Sequence, residues 1–321
     1  MTVILLLLFG ILAIWLLYRF ATADGDLTLL MKGRARRDAV ENKVVWITGA
    51  SQGIGEALAQ QFAQLGAKLI LSSRRPEQLE RVKAYLRGPN APHGVAILPF
   101  DIGAGSEAIQ EAVLKAEALF DGAGVDFIVH NAAHTRPKFA ALDASEEFLK
   151  DTFSINVMGP IHLTRFLVPS MIKRGKGHLV LVSSVAGKIP SPAQTVYSAS
   201  KHAVNGYFHS LRAELADKNI KVTVVCPGPI DTDLKSGTSR AQNLERRLPA
   251  YRCAELIIVA ATHGLKEAWI SYHPILLLLY VAQYLPSVAY AVIDKVGPKR
   301  VHSDGQQAYS ASLLFRRKKQ T

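Results

Sequence analysis

The chain has 321 residues, 49% of them hydrophobic, which suits one large α/β domain with membrane-seeking segments. Its two cysteines, Cys226 and Cys253, lie in apolar surroundings and exclude a disulfide framework, and no Cys/His spacing suggests a metal site. The formal charge of +12 is clustered, with Arg34, Arg36 and Arg37 after the first apolar segment and Arg316, Arg317, Lys318 and Lys319 at the end. No basic face interleaved with aromatics accompanies it, so the pattern fits an anionic membrane surface and not nucleic acid.

Residues 3–18 are apolar throughout, and Phe20 and Ala21 extend the run past Arg19. The stretch reads as an N-terminal hydrophobic anchor over 1–21, with monotopic insertion and a cleaved signal peptide as alternatives. Ala21-Thr22-Ala23 resembles a cleavage site, but no charged side chain precedes the run.

From residue 43 strand-like and helix-like text alternates. Strands are expected at 43–48, 68–72, 95–100, 126–130, 178–183, 221–226 and 268–271, and helices at 53–65 and 145–173, with another that carries Tyr197 to about 216. Alternation of this kind predicts an α/β fold, a single doubly wound parallel (Rossmann-type) domain over 40–272.

Residues 273–293 form a second apolar stretch, interrupted by Pro274 and Pro286 and free of charge until Asp294. Over 273–296 the readings are a buried helix pair, a membrane-dipping element carrying Tyr280, Tyr284 and Tyr290, or a second span. A basic tail fills 297–321.

Two places carry chemistry. Thr48-Gly49-Ala50-Ser51-Gln52-Gly53-Ile54-Gly55 joins the first strand to the first helix of the domain. Glycines there permit a tight turn and close backbone approach to a pyrophosphate, which the helix N-terminus then faces. The second strand ends in Ser72-Ser73-Arg74-Arg75, without the carboxylate that holds a ribose 2′-hydroxyl. Ser73 and Arg74 instead suit a 2′-phosphate, hence NADP(H), unless the arginines only start the next helix. Asp101, with Ile102 beside it, is placed to meet an adenine ring.

The second place is Tyr197-Ser198-Ala199-Ser200-Lys201. A spacing of four puts Tyr197 and Lys201 on one helix face. A free tyrosine has a pKa near ~10, and an adjacent ammonium lowers it toward useful acid–base chemistry. Such a pair also arises often by chance on helix surfaces.

Taken together, these motifs resemble the short-chain dehydrogenase/reductase family over about 43–271. The family's strand-four motif, usually Asn-Asn-Ala-Gly, reads His130-Asn131-Ala132-Ala133 here. The resemblance places an active-site tetrad on Asn156, Ser184, Tyr197 and Lys201, and assigns Asn131 and Ala132 to the cofactor side. It also assigns Pro227, Gly228, Ile230 and Thr232 to the nicotinamide border, with Thr232 as the carboxamide contact. The implied reaction is direct hydride transfer between NADP(H) and a carbonyl carbon. Tyr197 gives or takes the proton, Ser184 orients the oxygen, Lys201 lowers the tyrosine pKa and holds the ribose, and Asn156 supports a water relay behind Lys201.

The segments 23–30 and 266–271 resemble one membrane-anchored branch of the family. That implies an endoplasmic reticulum reductase acting on lipophilic carbonyls such as steroids and retinoids. Basic residues after the first segment and the Lys318-Lys319 ending point the domain toward the cytosol, although a second span would allow a luminal domain. A polar loop, 229–250, is expected to act as a substrate lid. Pairing through the helices bearing Asn156 and Tyr197 gives a possible homodimer. The alternative class is a catalytically silent nucleotide-binding membrane scaffold, against which the complete tetrad argues. An epimerase or dehydratase would need a larger C-terminal domain.

Overall fold

The computed structural model describes residues 2–232 and 247–302, with side chains from 8 to 301. The chain opens with α1 (Thr2–Ala21) and the short α2 (Leu27–Leu30), then enters β1 (Val44–Thr48). There follow α3 (Gly53–Gln64), β2 (Lys68–Ser72), α4 (Pro76–Tyr85), β3 (Val95–Ile97), α5 (Ser106–Gly122) and β4 (Phe127–His130). Next come α6 (Glu146–Phe153), α7 (Gly159–Lys173), β5 (Gly177–Val182), α8 (Thr195–Glu214) and β6 (Ile220–Pro227). The described chain ends with β7 (Ile230–Asp231), β8 (Leu248–Pro249), α9 (Ala250–Thr262), β9 (Glu267–Ile270), α10 (Ile275–Tyr284) and α11 (Pro286–His302).

Seven strands form one sheet in the order β3-β2-β1-β4-β5-β6-β9, parallel at every pairing. Every residue of β1, Val-Val-Trp-Ile-Thr, is buried, because both faces of the sheet are covered. Side chains alternate between two cores. Val45 and Ile47 join Phe62 of α3 and Ile257 of α9 on one face. Val44 and Trp46 join Leu163 of α7 and Phe208 of α8 on the other. Strand order reverses between β1 and β4, and in such sheets the crevice at that point, beyond the strands' carboxyl ends, receives ligands.

Three expectations are amended. The third strand stops at Ile97. The single helix expected over 145–173 is broken by a π-helical turn, Ser154–Met158, in which the Gly159 N–H reaches back five residues to the Ser154 carbonyl. Pro160 explains the break, since it has no N–H to offer the Asn156 carbonyl four residues earlier. At the C-terminal end, α11 runs across residue 297, where a tail was expected to begin.

The apolar stretch from 273 forms a helix pair divided at Leu285. Leu276, Leu279 and Ile293 pack with Ala23 and Ile189 in a third, smaller core. Helix α1 leaves Phe9, Ile11, Ile14 and Leu17 exposed. Among the described residues no helix is long and apolar enough to cross a membrane. Most of the expected lid and the dilysine ending lie outside the described residues.

Candidate active site

A cleft of about 870 Å³ opens at the crevice and runs from the glycine turn to Tyr197 and Lys201. Thr48, Gly49, Ser51, Gln52, Gly53 and Ile54 line its middle. Gly49 and Gly53 have φ of 66° and 59°, the left-handed region that glycine enters without strain. Thr48 Oγ1 donates to the Val129 carbonyl (3.1 Å) and accepts from the Asn131 N–H (3.0 Å). Asn131 Nδ2 in turn donates to the Thr48 and Gly49 carbonyls at 3.0 and 3.1 Å, tying the end of β4 to the turn. Gly55 lies behind the cleft: a Cβ there would stand 2.2 Å from the Gly49 carbonyl oxygen. Helix α3 therefore seats its first turn directly on the strand end, beside the cleft where a phosphate would sit.

One end of the cleft is basic. Ser73, Arg74, Asp101 and Ile102 line it as expected, and Arg75 and Arg81 line it too. Arg74 Nη1 is 4.0 Å from Asp101 Oδ2 and its side chain is mostly exposed. The other Asp101 oxygen accepts from the Gly103 N–H at 2.9 Å. Arg75 Nη2 donates to Gln52 Oε1 at 2.7 Å. Arg81 Nη2 donates to the Ser51 carbonyl at 3.0 Å while its guanidinium takes both Glu56 oxygens, at 3.1 and 2.8 Å. Glu56 is thus neutralised in place, and the surface left for a 2′-substituent is cationic.

At the other end, Pro227, Gly228, Ile230 and Thr232 close the cleft, and the Thr232 side chain stands 3.3 Å from where a Gly53 Cβ would be. Tyr197 and Lys201 are buried one turn apart on α8. Lys201 Nζ lies 5.7 Å from the tyrosine ring centroid and donates to the Val182 carbonyl at 3.1 Å. Ser184, at the mouth of β5, accepts from the Ala186 N–H at 3.1 Å and hydrogen-bonds Tyr197. The Arg136 guanidinium stands 5.6 Å from the same ring. Burial pushes the phenol upward, but the Lys201 and Arg136 charges and the bond to Ser184 outweigh it, so the Tyr197 pKa is lowered. Burial, helped by Arg136, also lowers Lys201.

A second cavity of about 180 Å³ meets the first at Ser184, Tyr197, Gly228 and Ile230. Tyr197 therefore stands between a dinucleotide-sized cleft and a smaller chamber.

A family profile described as short chain dehydrogenase matches residues 43–243. The chain belongs to the short chain dehydrogenase family. Human "Dehydrogenase/reductase SDR family member 7" is 36% identical over 304 residues, 89% of this chain and 88% of that protein. Among solved structures, a short-chain dehydrogenase from Streptomyces avermitilis superposes with a TM-score of 0.66 at 27% identity, over 81% of this chain and 98% of the other. A metagenomic short-chain oxidoreductase in complex with NADP does so with a TM-score of 0.58 at 25% identity, over 70% and 92%.

As a short chain dehydrogenase the protein is an oxidoreductase, and the cleft fits a nicotinamide dinucleotide: cations at one end, a glycine turn suited to a pyrophosphate, and Tyr197 with Lys201 at the other end. Asn156 is buried. It does not line the cleft. Its Oδ1 accepts from the His134 N–H at 2.7 Å and its Nδ2 donates to Ser200 Oγ at 3.0 Å, so both ends of the amide are engaged. Ser200 Oγ donates on to the Tyr197 carbonyl at 2.7 Å. Through Ser200 the Asn156 side chain is linked to the backbone of Tyr197.

The family departure at His130 is a matter of packing. The ring packs at a tilt of 60° against Phe208 with centroids 5.2 Å apart, its Nε2 meets Thr164 Oγ1 at 3.1 Å, and burial lowers its pKa to about 3, leaving it neutral. Arg75, Arg81, Arg136 and Ser200 join the residues expected at the site. Arg75 and Ser200 were visible within quoted motifs. Arg81 and Arg136 reach the site only through the fold, 30 residues from Ser51 and 61 from Tyr197 along the chain.

Proposed function

We propose that the protein is an NADP(H)-dependent oxidoreductase that interconverts a lipophilic carbonyl and its alcohol. The observation that carries this reading is Tyr197, buried where the two cavities meet, with a pKa lowered by Lys201 and Arg136 and a bond to Ser184. A bound nicotinamide supplies or accepts the hydride. In the reductive direction the Tyr197 hydroxyl protonates the carbonyl oxygen, and in the oxidative direction the phenolate receives the alcohol proton. The Ser184 hydroxyl donates to the same oxygen and fixes its place. Lys201 lowers the charge cost of the phenolate and offers its ammonium to the ribose side of the cleft. Arg74, Arg75 and Arg81 favour a 2′-phosphate over a bare hydroxyl.

Ile189 and Ile275 line the second cavity, which supports a lipophilic substrate of the steroid or retinoid kind. The exposed apolar side chains of α1, followed by Arg34, Arg36 and Arg37, support attachment to the endoplasmic reticulum membrane with the domain facing the cytosol. Pairing through α7 and α8 is proposed for the assembled form.

The test is turnover by the full chain in lipid vesicles, with steroid ketones, retinaldehyde and small dicarbonyls, using NADPH and NADH in parallel. Turnover with NADPH that disappears in Tyr197→Phe is the expected result. Nucleotide binding without turnover of any substrate would favour the silent scaffold.

A further inference from the structure

The second cavity differs in charge from what a neutral lipid requires. Beside Ser184 and Tyr197, four cations line it: Arg136, Lys138, Arg247 and Arg300. Among the described residues that line it there is no Asp or Glu. The cations come from three separate stretches of chain: the loop after β4, the residue before β8, and the last turns of α11. A single run of basic residues on a solvated face does not produce this. The fold carries each stretch to one chamber.

Burial grades inward. Arg136 and Arg247 are exposed at the rim, Lys138 is half-buried and Arg300 is buried, at 5% exposure. Lys138, Arg247 and Arg300 each take part in an interaction within the protein. What matters is where their charges sit relative to the reacting pair.

The cofactor's phosphates do not account for them. Ser51, Gln52, Gly53 and Ile54 line the first cleft and none lines the second. Arg75 and Arg81 already serve the far end. Only the reacting end, including Arg136, is common to both cavities. An anion attracted by these cations therefore belongs to the molecule whose carbonyl meets Tyr197.

We propose that the substrate carries an anionic group, a carboxylate, sulfate or phosphate, on the same molecule as the reacting carbonyl, and that Arg136, Lys138, Arg247 and Arg300 receive it. This rests on the carbonyl–alcohol chemistry proposed above and narrows it to amphiphilic substrates. Ile189 and Ile275 take the apolar part between the carbonyl and the charge. Guanidinium and ammonium groups suit such oxyanions through charge-assisted hydrogen bonds, and the converging field raises the local concentration of anionic ligand.

The test uses aryl ketones with a terminal carboxylate on tethers of graded length, each paired with its methyl ester. Binding to the full chain loaded with NADP+ is measured by calorimetry, and kcat/KM is measured separately with NADPH. The acid should bind ~10-fold or more tightly than its ester at the best tether, with an advantage that shrinks as salt is added. Lys138→Gln and Arg300→Gln should each reduce that advantage ~5-fold while leaving the ester within about twofold. Lys138 is half-buried, so its variant decides the matter if Arg300→Gln does not fold.

Equal affinity for acid and ester, including no affinity for either, would overturn the proposal, as would an advantage unchanged in Lys138→Gln. Preferential binding of the acid without turnover of either compound would uphold the anion site and sink the carbonyl chemistry. Equal binding and equal turnover of both would do the reverse.

Discussion

Gly55→Ala is the sharpest test of how the glycine turn is built. A Cβ at this position would lie 2.2 Å from the Gly49 carbonyl oxygen and 2.6 Å from Asn131 Nδ2. Ordinary contact requires a retreat of about 1 Å. Neither neighbour is free to give. Gly49 is backbone, and Asn131 is held by the Thr48 and Gly49 carbonyls. Overpacking of this kind costs about 1–3 kcal/mol, and disturbing the Asn131 amide adds about 1 kcal/mol. Better helix propensity returns about 1 kcal/mol. The net destabilisation is about 2 kcal/mol, or roughly 4–8 °C in Tm for a domain of this size. A turn displaced by about 1 Å should bind nucleotide ~100-fold more weakly. Gly206→Ala is the control: it lies within α8, its Cβ would meet nothing within 4 Å, and it should stabilise by about 0.5–1 kcal/mol with unchanged nucleotide affinity. Thermal denaturation and NADPH fluorescence titration read both variants. A Gly55→Ala protein that binds NADPH as tightly as wild type would refute the packing argument.

Arg136→Gln removes a positive charge that lowers the Tyr197 pKa, so that pKa must rise. In alcohol oxidation the phenolate is the active form, and the acid limb of the kcat/KM–pH profile should move to higher pH; a limb that stays or moves down would separate Arg136 from the tyrosine. Arg74→Ala and Arg75→Ala should each weaken NADPH binding ~10-fold and leave NADH within about twofold, as read by fluorescence titration, and equal losses for both nucleotides would remove them from the 2′-phosphate. Glu267 sits with Lys188 at 2.9 Å and His209 at 2.7 Å. Burial opposes its charge, but bonds to His209, Trp269 and Lys188 lower its pKa from 4.5 to about 2. A depressed carboxylate stabilises above its unfolded pKa, so up to about 3 kcal/mol present at pH 7 is lost as pH falls from about 4.5 to about 2. Glu267→Gln should flatten urea stability across that window, and an unchanged acid limb would count against the network.

The doubly wound fold was legible because the central strands β1 and β4 are buried on both faces and β5 nearly so, and each therefore reads as a short apolar run between turns. Residues 44–48 illustrate it: the glycines that follow fix both the strand's end and the helix's start. Tyr197 and Lys201 were legible through local helical geometry. The π-helical turn had a signal, Pro160, whose consequence falls four residues upstream and onto Asn156. Arg81 had none, since it meets Ser51 only when α4 packs beside the turn. The cationic chamber was equally hidden. Arg136, Arg247 and Arg300 sit in unrelated stretches, Arg247 in the expected lid 229–250 and Arg300 in the expected basic tail, and nothing in the sequence joins them to one cavity.

The position of Asn156 shows how the helices serve the chemistry without touching it. A buried ammonium and phenol placed together are costly unless each is held in one geometry. Lys201 is held by the Val182 carbonyl at the end of β5. Tyr197 is held through its backbone by Ser200, and Ser200 by Asn156. The other end of that amide holds the His134 N–H in the loop that leads to Arg136 two residues on. One amide, placed in the π-helical turn, thus joins the backbone of Tyr197 to the loop supplying the second cation near its ring. Burial opposes the phenolate, and the two cations outweigh it only at the distances these bonds maintain. The break in the helix is what lets a side chain from its middle reach both.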